Sequence, residues 1–146
     1  LSDLNIDSRV ELLRTNLRQH IHDLLHYDVI EIRLLEPKTN RLLPLLQEGM
    51  TEEAANRELF AEEEGNGVTG YVAATGLSYL CEDASKDERF LVGSHGAKSS
   101  LTVALKFNEE VIGTFNVESP KLKAFGPEDL QFTELFSREV ARALHT

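Results

Sequence analysis

Residues 8 to 26, "SRVELLRTNLRQHIHDLLH", place Val10, Leu13, Leu17, Ile21 and Leu24 three and four apart. That spacing lays one apolar stripe along a helix. At "DVIEIRLLEP" the period drops to two, with Ile30, Ile32 and Leu34 on one side and Glu31 and Arg33 on the other, the mark of a half-buried strand. "PKTN" predicts a turn, and "RLLPLLQEG" a second strand, placed at a sheet edge because Pro44 cannot donate to a ladder. "TEEAANRELFAEEE" opens with a threonine cap and early acids, so it predicts a short helix. "VTGYVAAT" predicts a helical turn or two ended by Gly76, and "SYLCED" a short strand before a long loop through "ASKDERFLVGSHGAK". "SSLTVALKF" and "EVIGTFNVES" alternate cleanly and are joined by "NEE", a β-hairpin. "GPEDLQFTELFSREVARALH" closes as a helix with Pro127 in its first turn.

Short connections between neighbouring strands predict a largely antiparallel sheet in an α+β domain. Alternation gives its two faces different characters. One carries Ile30, Ile32, Leu34, Leu101, Val103, Leu105, Val111, Phe115 and Val117; the other carries Glu31, Arg33, Ser100, Thr102, Thr114 and Asn116. The apolar face calls for the two terminal helices. The mixed face calls for the small helices and the long loop, and a half-polar floor under an irregular roof forms a small-molecule cavity.

Composition narrows the function. A chain of 146 residues suits one domain with its own core. The formal charge of −10 repels phosphate backbones and anionic lipid, so neither nucleic acid nor a membrane surface is an expected partner. The single cysteine, Cys81, excludes an internal disulfide and fits a reducing compartment. With no membrane-length apolar run and no signal-peptide pattern, the expectation is a cytoplasmic domain cut from a longer chain, since both ends fall in helical sequence.

Several stretches offer chemistry. "GNGVTG", residues 65 to 70, matches the G-x-G-x-x-G of dinucleotide loops. That loop must follow a buried strand and open a long helix, whereas here "AEEE" precedes it and Gly76 stops the helix. The expected role is a turn and a close packing contact. "HDLLH" sets His22 and His26 one turn apart, as a metal pair requires, but offers Asp23 as base and no third ligand. Those histidines, with His20, could instead sit at a dimer seam. Glu82, Asp83, Asp87 and Glu88 crowd one loop without calcium-loop spacing, and Asp87 is expected to pair with Arg89. The amides of "GSHGAKSS" could form an anion nest at the cavity mouth. No metal site is expected.

"GNGVTGYVAATG", "YLCEDASKDERF", "GAKSSLTVALKFNEEVIGTFNVESP" and "AFGPEDLQFTELFSREVARAL" come in an order that resembles a GAF domain, from about Tyr27 to Leu144. The resemblance implies a GAF-like twisted antiparallel sheet of five to six strands, with terminal helices on one face and small helices and loops over a ligand cavity on the other. It divides the one domain into an N-terminal signalling or dimerisation helix (1–26), the sheet and cavity core (27–126) and a C-terminal helix (127–146). Cys81 is followed by Glu82 and lacks the C-H dipeptide of bilin-carrying GAF domains. It also lacks the second cysteine that GAF-type free-methionine sulfoxide reductases use for resolution. Cyclic-nucleotide binding is in doubt, because Phe125 and Asp129 are kept but Glu118-Ser119 stands where Asn-Lys would fall.

The function so implied is a sensory module rather than an enzyme, without a cofactor. An unknown small molecule would bind at Arg33, Tyr71, Tyr79, Phe90, Ser100, Thr102, Thr114 and Asn116, with Arg33 anchoring an anionic group. The terminal helices would pass the change to a tethered output domain such as a histidine kinase, cyclase, phosphatase or transcription activator. A homodimer is expected through Leu13, Leu17, Leu24, Leu135, Phe136 and Val140. The alternative is a dimerisation scaffold with no physiological ligand.

Overall fold

The alternating segments fold into one five-stranded sheet of β1 (Val29–Glu36), β2 (Arg41–Glu48), β3 (Tyr79–Cys81), β4 (Ser99–Phe107) and β5 (Glu110–Ser119), in the order β2-β1-β5-β4-β3. Each neighbouring pair runs antiparallel. The structure, a computed structural model, describes residues 11, 12, 14–19, 27 and 29–145. Val10, Leu13, His20, Ile21, His22, Leu24 and His26 lie outside the described residues.

The β4–β5 hairpin turns more tightly than its sequence suggests. Phe107 pairs with Glu110, leaving only Asn108 and Glu109 between the strands. Both take positive φ, 50° and 71°, as a primed two-residue turn requires, because its twist matches that of the strands. Pro44 does sit on an edge strand. Next to it, Ile32 pairs with Leu46 and Arg33 with Pro44, so Leu45 is the extra residue of a bulge. The bulge buries Leu45 and Leu46 together in the main core and turns Leu42 into a second cluster with Leu59, Ala61 and Ala73. The run "LLPLL" is apolar in both phases, so its alternation could not reveal the shift.

The apolar face packs as the alternation predicts except at Val111, which a register shift beside Leu105 and Lys106 turns to the other side, against the Leu42 cluster, leaving Ile112 on the main core. Ile30, Ile32, Leu101, Val103, Leu105, Phe115 and Val117 form its floor, under Phe136, Val140 and Ala141 of the last helix and Leu17 of the first. The first helix, α1, is described at residues 11, 12 and 14–19; the last, α4, spans Pro127–His145. Phe115 and Phe136 meet edge to face, 5.9 Å between centroids. Burial of each such side chain is worth about 1.5–3 kcal/mol, which holds α4 to the sheet. The start of α4 is fixed as well: Asp129 Oδ2 accepts the Gly126 N–H at 2.8 Å, and Tyr27 Oη donates to Asp129 Oδ1 at 3.3 Å.

Across the other face lie α2 (Glu52–Ala55), α3 (Gly67–Thr75) and the loop of residues 84–98, which begins with the 3-10 turn Ala84–Lys86. The Thr51 hydroxyl caps α2 by accepting the Ala54 N–H, and Gly76 ends α3 in the left-handed conformation at φ 74°. "GNGVTG" therefore opens a nine-residue helix that leads to the edge strand β3 and does not follow a parallel strand. Its last glycine has a packing duty: a Cβ on Gly70 would stand 2.7 Å from the Phe60 carbonyl oxygen. Alanine is the better helix former by about 1 kcal/mol, but overpacking against fixed backbone costs about 1–3 kcal/mol, so the clash wins. Gly70→Ala is expected to lower the urea midpoint with an unchanged slope, and an unchanged or higher midpoint would show that residues 60–62 yield freely.

Candidate functional site

The cross-strand register gathers the polar side chains on one face. Glu31 pairs with Asn116, which pairs with Thr102, which pairs with Tyr79. One row along, Glu118 pairs with Ser100 and Ser100 with Cys81; two residues the other way, Arg33 pairs with Thr114. All of these are buried except the half-buried Tyr79. Buried polar groups need partners, and most have them. Thr102 Oγ1 donates to Asn116 Oδ1 at 2.7 Å, and Asn116 Nδ2 donates to Glu118 Oε2 at 3.2 Å. Glu118 Oε1 accepts from both the backbone N–H and the hydroxyl of Ser94, at 2.9 and 3.0 Å. The "GSHG" loop thus does hold an anion, and that anion is the protein's own carboxylate. Burial pushes the Glu118 carboxyl above the ordinary range, and nearby Glu31 adds to the rise, while the bonds from Ser94 and Asn116 oppose it.

Arg33 plays a different part from the one its sequence suggests. Its Nη1 donates to the carbonyls of Leu42 and Arg57 at 3.0 and 2.9 Å, and its Nη2 to that of Ala54 at 3.3 Å. Its Nε lies 3.1 Å from Glu31 Oε2, and that same oxygen accepts from Gln47 Nε2 at 2.7 Å. Only 1 % of Arg33 is exposed. The guanidinium is engaged as a strut tying β1 to β2 and to the end of α2, although its Nε, close to Glu31, makes no aligned hydrogen bond. The Ser100 and Thr114 hydroxyls, like Arg33 Nε, are buried without a hydrogen-bond partner.

The aromatic residues gather at one side. Tyr71 and Tyr79 meet edge to face at 5.6 Å, and the Arg89 guanidinium lies 4.2 Å above the Tyr71 ring, a cation–π contact. Tyr79 Oη donates to Asp87 Oδ2 at 2.8 Å. Asp87 takes the backbone N–H of Arg89 at 2.9 Å, while the guanidinium reaches toward Glu64 at 3.8 Å. The expected Asp87–Arg89 pairing is therefore a backbone hydrogen bond.

Two spaces adjoin these groups. An inner one of about 20 Å³ is lined by Glu31, Arg33, Arg57, Val68, Asn116 and Glu118, among others. An outer cleft of about 790 Å³ runs past Glu64, Tyr79, Glu82, Asp87 and Arg89. Gly67 and Leu91 line both and stand between them. Of the eight sequence-proposed ligand residues, Arg33 and Asn116 border the inner space and Tyr79 the outer, while Tyr71, Phe90, Ser100, Thr102 and Thr114 border neither. Glu118 and Ser94 were not among the eight, although Glu118 follows Thr114 and Asn116 at the strand period.

Cys81 is buried on the same face, and its thiol is pushed up to about 12, chiefly by burial, with Asp87 adding. It stays protonated at neutral pH and is a poor nucleophile there. Leu17, Phe136 and Val140 are buried in the core, so of the proposed dimer residues they face the sheet; Leu135, 53 % exposed, faces outward, and Leu13 and Leu24 lie outside the described residues. Among the described residues, no helix is long and apolar enough to cross a membrane.

A two-faced antiparallel sheet with helices against one face and a roofed polar floor on the other defines a class of domain, and sequence comparison agrees. The chain belongs to the GAF domain family, whose sequence profile matches residues 9–144. GAF domains commonly have sensory or regulatory roles in signalling proteins. No curated protein matches the sequence. Among solved structures, the chain is similar to the type II free methionine-R-sulfoxide reductase of Thermoplasma acidophilum, with a TM-score of 0.81 at 19% identity, covering 94% of this chain and 95% of that one. It is also similar to the GAF domain of the Acinetobacter phosphoenolpyruvate-protein phosphotransferase (TM-score 0.73, 20% identity, 99% and 95% covered). A methyl-accepting chemotaxis protein is a third (TM-score 0.70, 21% identity, 95% and 94% covered). The first of these overturns the expectation that the chain is not an enzyme: a fold this close carries a reductase, and catalysis stays open for this chain.

Glu118 gives the site a pH signature. Its raised folded-state pKa makes the native chain bind more protons than the unfolded chain between the two values, so stability falls as pH rises through that window. Glu118→Gln cannot ionise. The stability difference, variant minus parent, is expected to move in the variant's favour from pH 4.5 to pH 7 in urea titrations. A difference that stays flat, or moves the other way, would show that Ser94 and Asn116 outweigh burial.

Proposed function

We propose that this chain is a cytoplasmic sensory domain that binds a small molecule between the polar sheet face and the roof formed by α2, α3 and residues 84–98. The observation that carries this reading is the arrangement at Gly67 and Leu91, where a small buried polar chamber lies directly behind an open cleft. A ligand entering from the cleft would displace Leu91, which is already 39 % exposed, and reach Glu31, Asn116 and Glu118. Thr102 would act through its bond to Asn116, and Tyr71 and Tyr79 would shape the entrance.

The route outward runs through β5. Asn116 and Glu118 face the chamber while Phe115 and Val117, from the same strand, face the helical layer. A ligand that shifts β5 would change the seat of α4, and so bias one helix arrangement over another if it favours one of them. An output domain tethered to the terminal helices, of the kinase, cyclase, phosphatase or transcription-activator kind, would receive the change.

A second reading is a dimerisation scaffold, favoured by Phe132 and Leu135, which lie three apart on α4 and are 45% and 53% exposed. Thermal shift with nucleotides, amino acids, organic acids and amines, and with free methionine-R-sulfoxide, separates the readings. A ligand at a hundred times its Kd adds about 2.7 kcal/mol of stability, a rise of several degrees for a domain of this size. Silence across the panel from a tightly dimeric chain favours the scaffold. Turnover of a stabilising compound would make the chamber catalytic.

A further inference from the structure

The inner chamber has uncommitted hydrogen-bonding groups of both kinds. Its roof includes the first turn of α3, where Asn66, Gly67, Val68 and Thr69 all line the space. The first intrahelical bond there runs from the Gly70 N–H to the Asn66 carbonyl at 3.0 Å. The N–H groups of Gly67, Val68 and Thr69 precede it and have no helical acceptor. Asn66 does not cap them, because its Oδ1 takes the Phe60 N–H at 2.9 Å instead. Two guanidinium groups line the same space. Arg33, only 1 % exposed, keeps its Nε without a hydrogen-bond partner. Arg57 commits Nη2 to the Val92 carbonyl at 3.1 Å and no other side-chain donor among the described residues. Acceptors come from the sheet. Glu118 Oε2 takes one long bond, 3.2 Å from Asn116 Nδ2, although a carboxylate oxygen can accept two.

Charge selects against an ionic head. The lining carries two carboxylates, of Glu31 and Glu118, and two guanidinium groups, of Arg33 and Arg57. An added anion would lie near the carboxylates, and an added cation near the guanidinium groups and the positive end of α3. Burying a charge with no counter-ion of its own costs far more than burying a neutral polar group that finds its bonds. Size selects as well. The space of about 20 Å³ holds little more than one water-sized group, which needs about 10–15 Å³ on the same measure. Only a small planar head enters, and the rest of the ligand would pass between Gly67 and Leu91 into the cleft.

We infer that the chamber takes an uncharged head with a carbonyl and an N–H side by side, a primary carboxamide or a urea. Its oxygen meets the donors of α3 and the guanidinium groups, and its N–H groups meet Glu118. The inference rests on the sensory reading above and names the ligand class of that site. A carboxylate of the same shape offers no N–H to Glu118, an ammonium offers no acceptor to α3, and a dialkylated amide keeps the oxygen alone.

The test is titration of the 15N-labelled chain with butyramide and N-butylurea, against butyrate, butylammonium and N,N-dimethylbutyramide at matched ionic strength. The Thr69 and Ser94 amides report on the roof and on Glu118. Butyramide and N-butylurea should move both resonances saturably, and the other three should not. Glu118→Gln keeps an oxygen for Ser94 but sets an NH2 group where the ligand's N–H groups would be accepted. It should weaken butyramide at least fivefold and remove its lead over butyrate, a reversal that a purely structural role would not produce. Glu63→Gln, in the outer cleft, should leave butyramide within about twofold, as solvated surface charge contributes little. The inference is overturned by no response to either amide, or by butyrate, butylammonium or the dimethylamide matching butyramide on the parent chain. An unchanged lead of butyramide over butyrate in Glu118→Gln also overturns it. Saturable binding of butyrate or butylammonium in place of the amides would leave the sensory reading intact. That reading fails separately, when no compound of the wider panel stabilises the chain.

Discussion

A guanidinium buried under a sheet must be satisfied in place, and much of the molecule is arranged around that demand at Arg33. Water cannot reach it, and an unpaired charge at that depth would cost several kcal/mol. Three backbone carbonyls and one carboxylate converge on it from β2, from the end of α2 and from the neighbouring Glu31. The short helix α2, too brief to be stable alone, is thereby fixed over the sheet. The bulge at Leu45 belongs to the same arrangement, since it changes the phase of β2 just where Arg33 meets Pro44 and brings Leu42 to this side.

With one end of the roof fixed by Arg33, the other is fixed by Glu118. Thr51 N–H donates to the Gly93 carbonyl at 2.8 Å, and Arg57 to that of Val92, so residues 92–94 are bound both to the α2 region and, through Ser94, to β5. Two buried charged side chains of opposite sign, Arg33 bonded to backbone carbonyls and Glu118 to Ser94 and Asn116, hold a layer with little apolar area of its own. The helical layer on the opposite face depends on ordinary burial around Phe115 and Phe136. One face is therefore adhesive and indifferent to detail, while the other is polar and exacting, and the exacting face is where recognition is possible.

The sequence made the faces legible because alternation holds through β1, through β4 to Leu105 and through β5 from Gly113 onward, and strand parity is a geometric necessity; the register shift at Leu105/Lys106 hid the side of Val111. It also excluded the dinucleotide reading of "GNGVTG", since the acids before it could not form a buried strand. The fate of Arg33 was not legible. Its partners lie 9, 21 and 24 positions away, and backbone carbonyls carry no residue identity to read. Glu118 was within reach, because the parity that selected Thr114 and Asn116 selects it next. The bulge at Leu45 left no trace in a segment apolar at every phase. The expectation of a non-enzyme rested on the single cysteine, on the incomplete metal pair of "HDLLH" and on the resemblance to sensory modules, and a similar fold that carries a reductase overturns it.

Gly93 lies so close to the Glu118 carboxylate that even a methyl group there would collide with it. A larger residue at 93 is compatible with this loop only alongside a shorter one at 118, and a shorter acid would in turn lose reach toward Ser94. Positions 93 and 118 thus form a single unit of variation: homologues should change both or neither, and a chain in which only one has drifted will have rebuilt its roof.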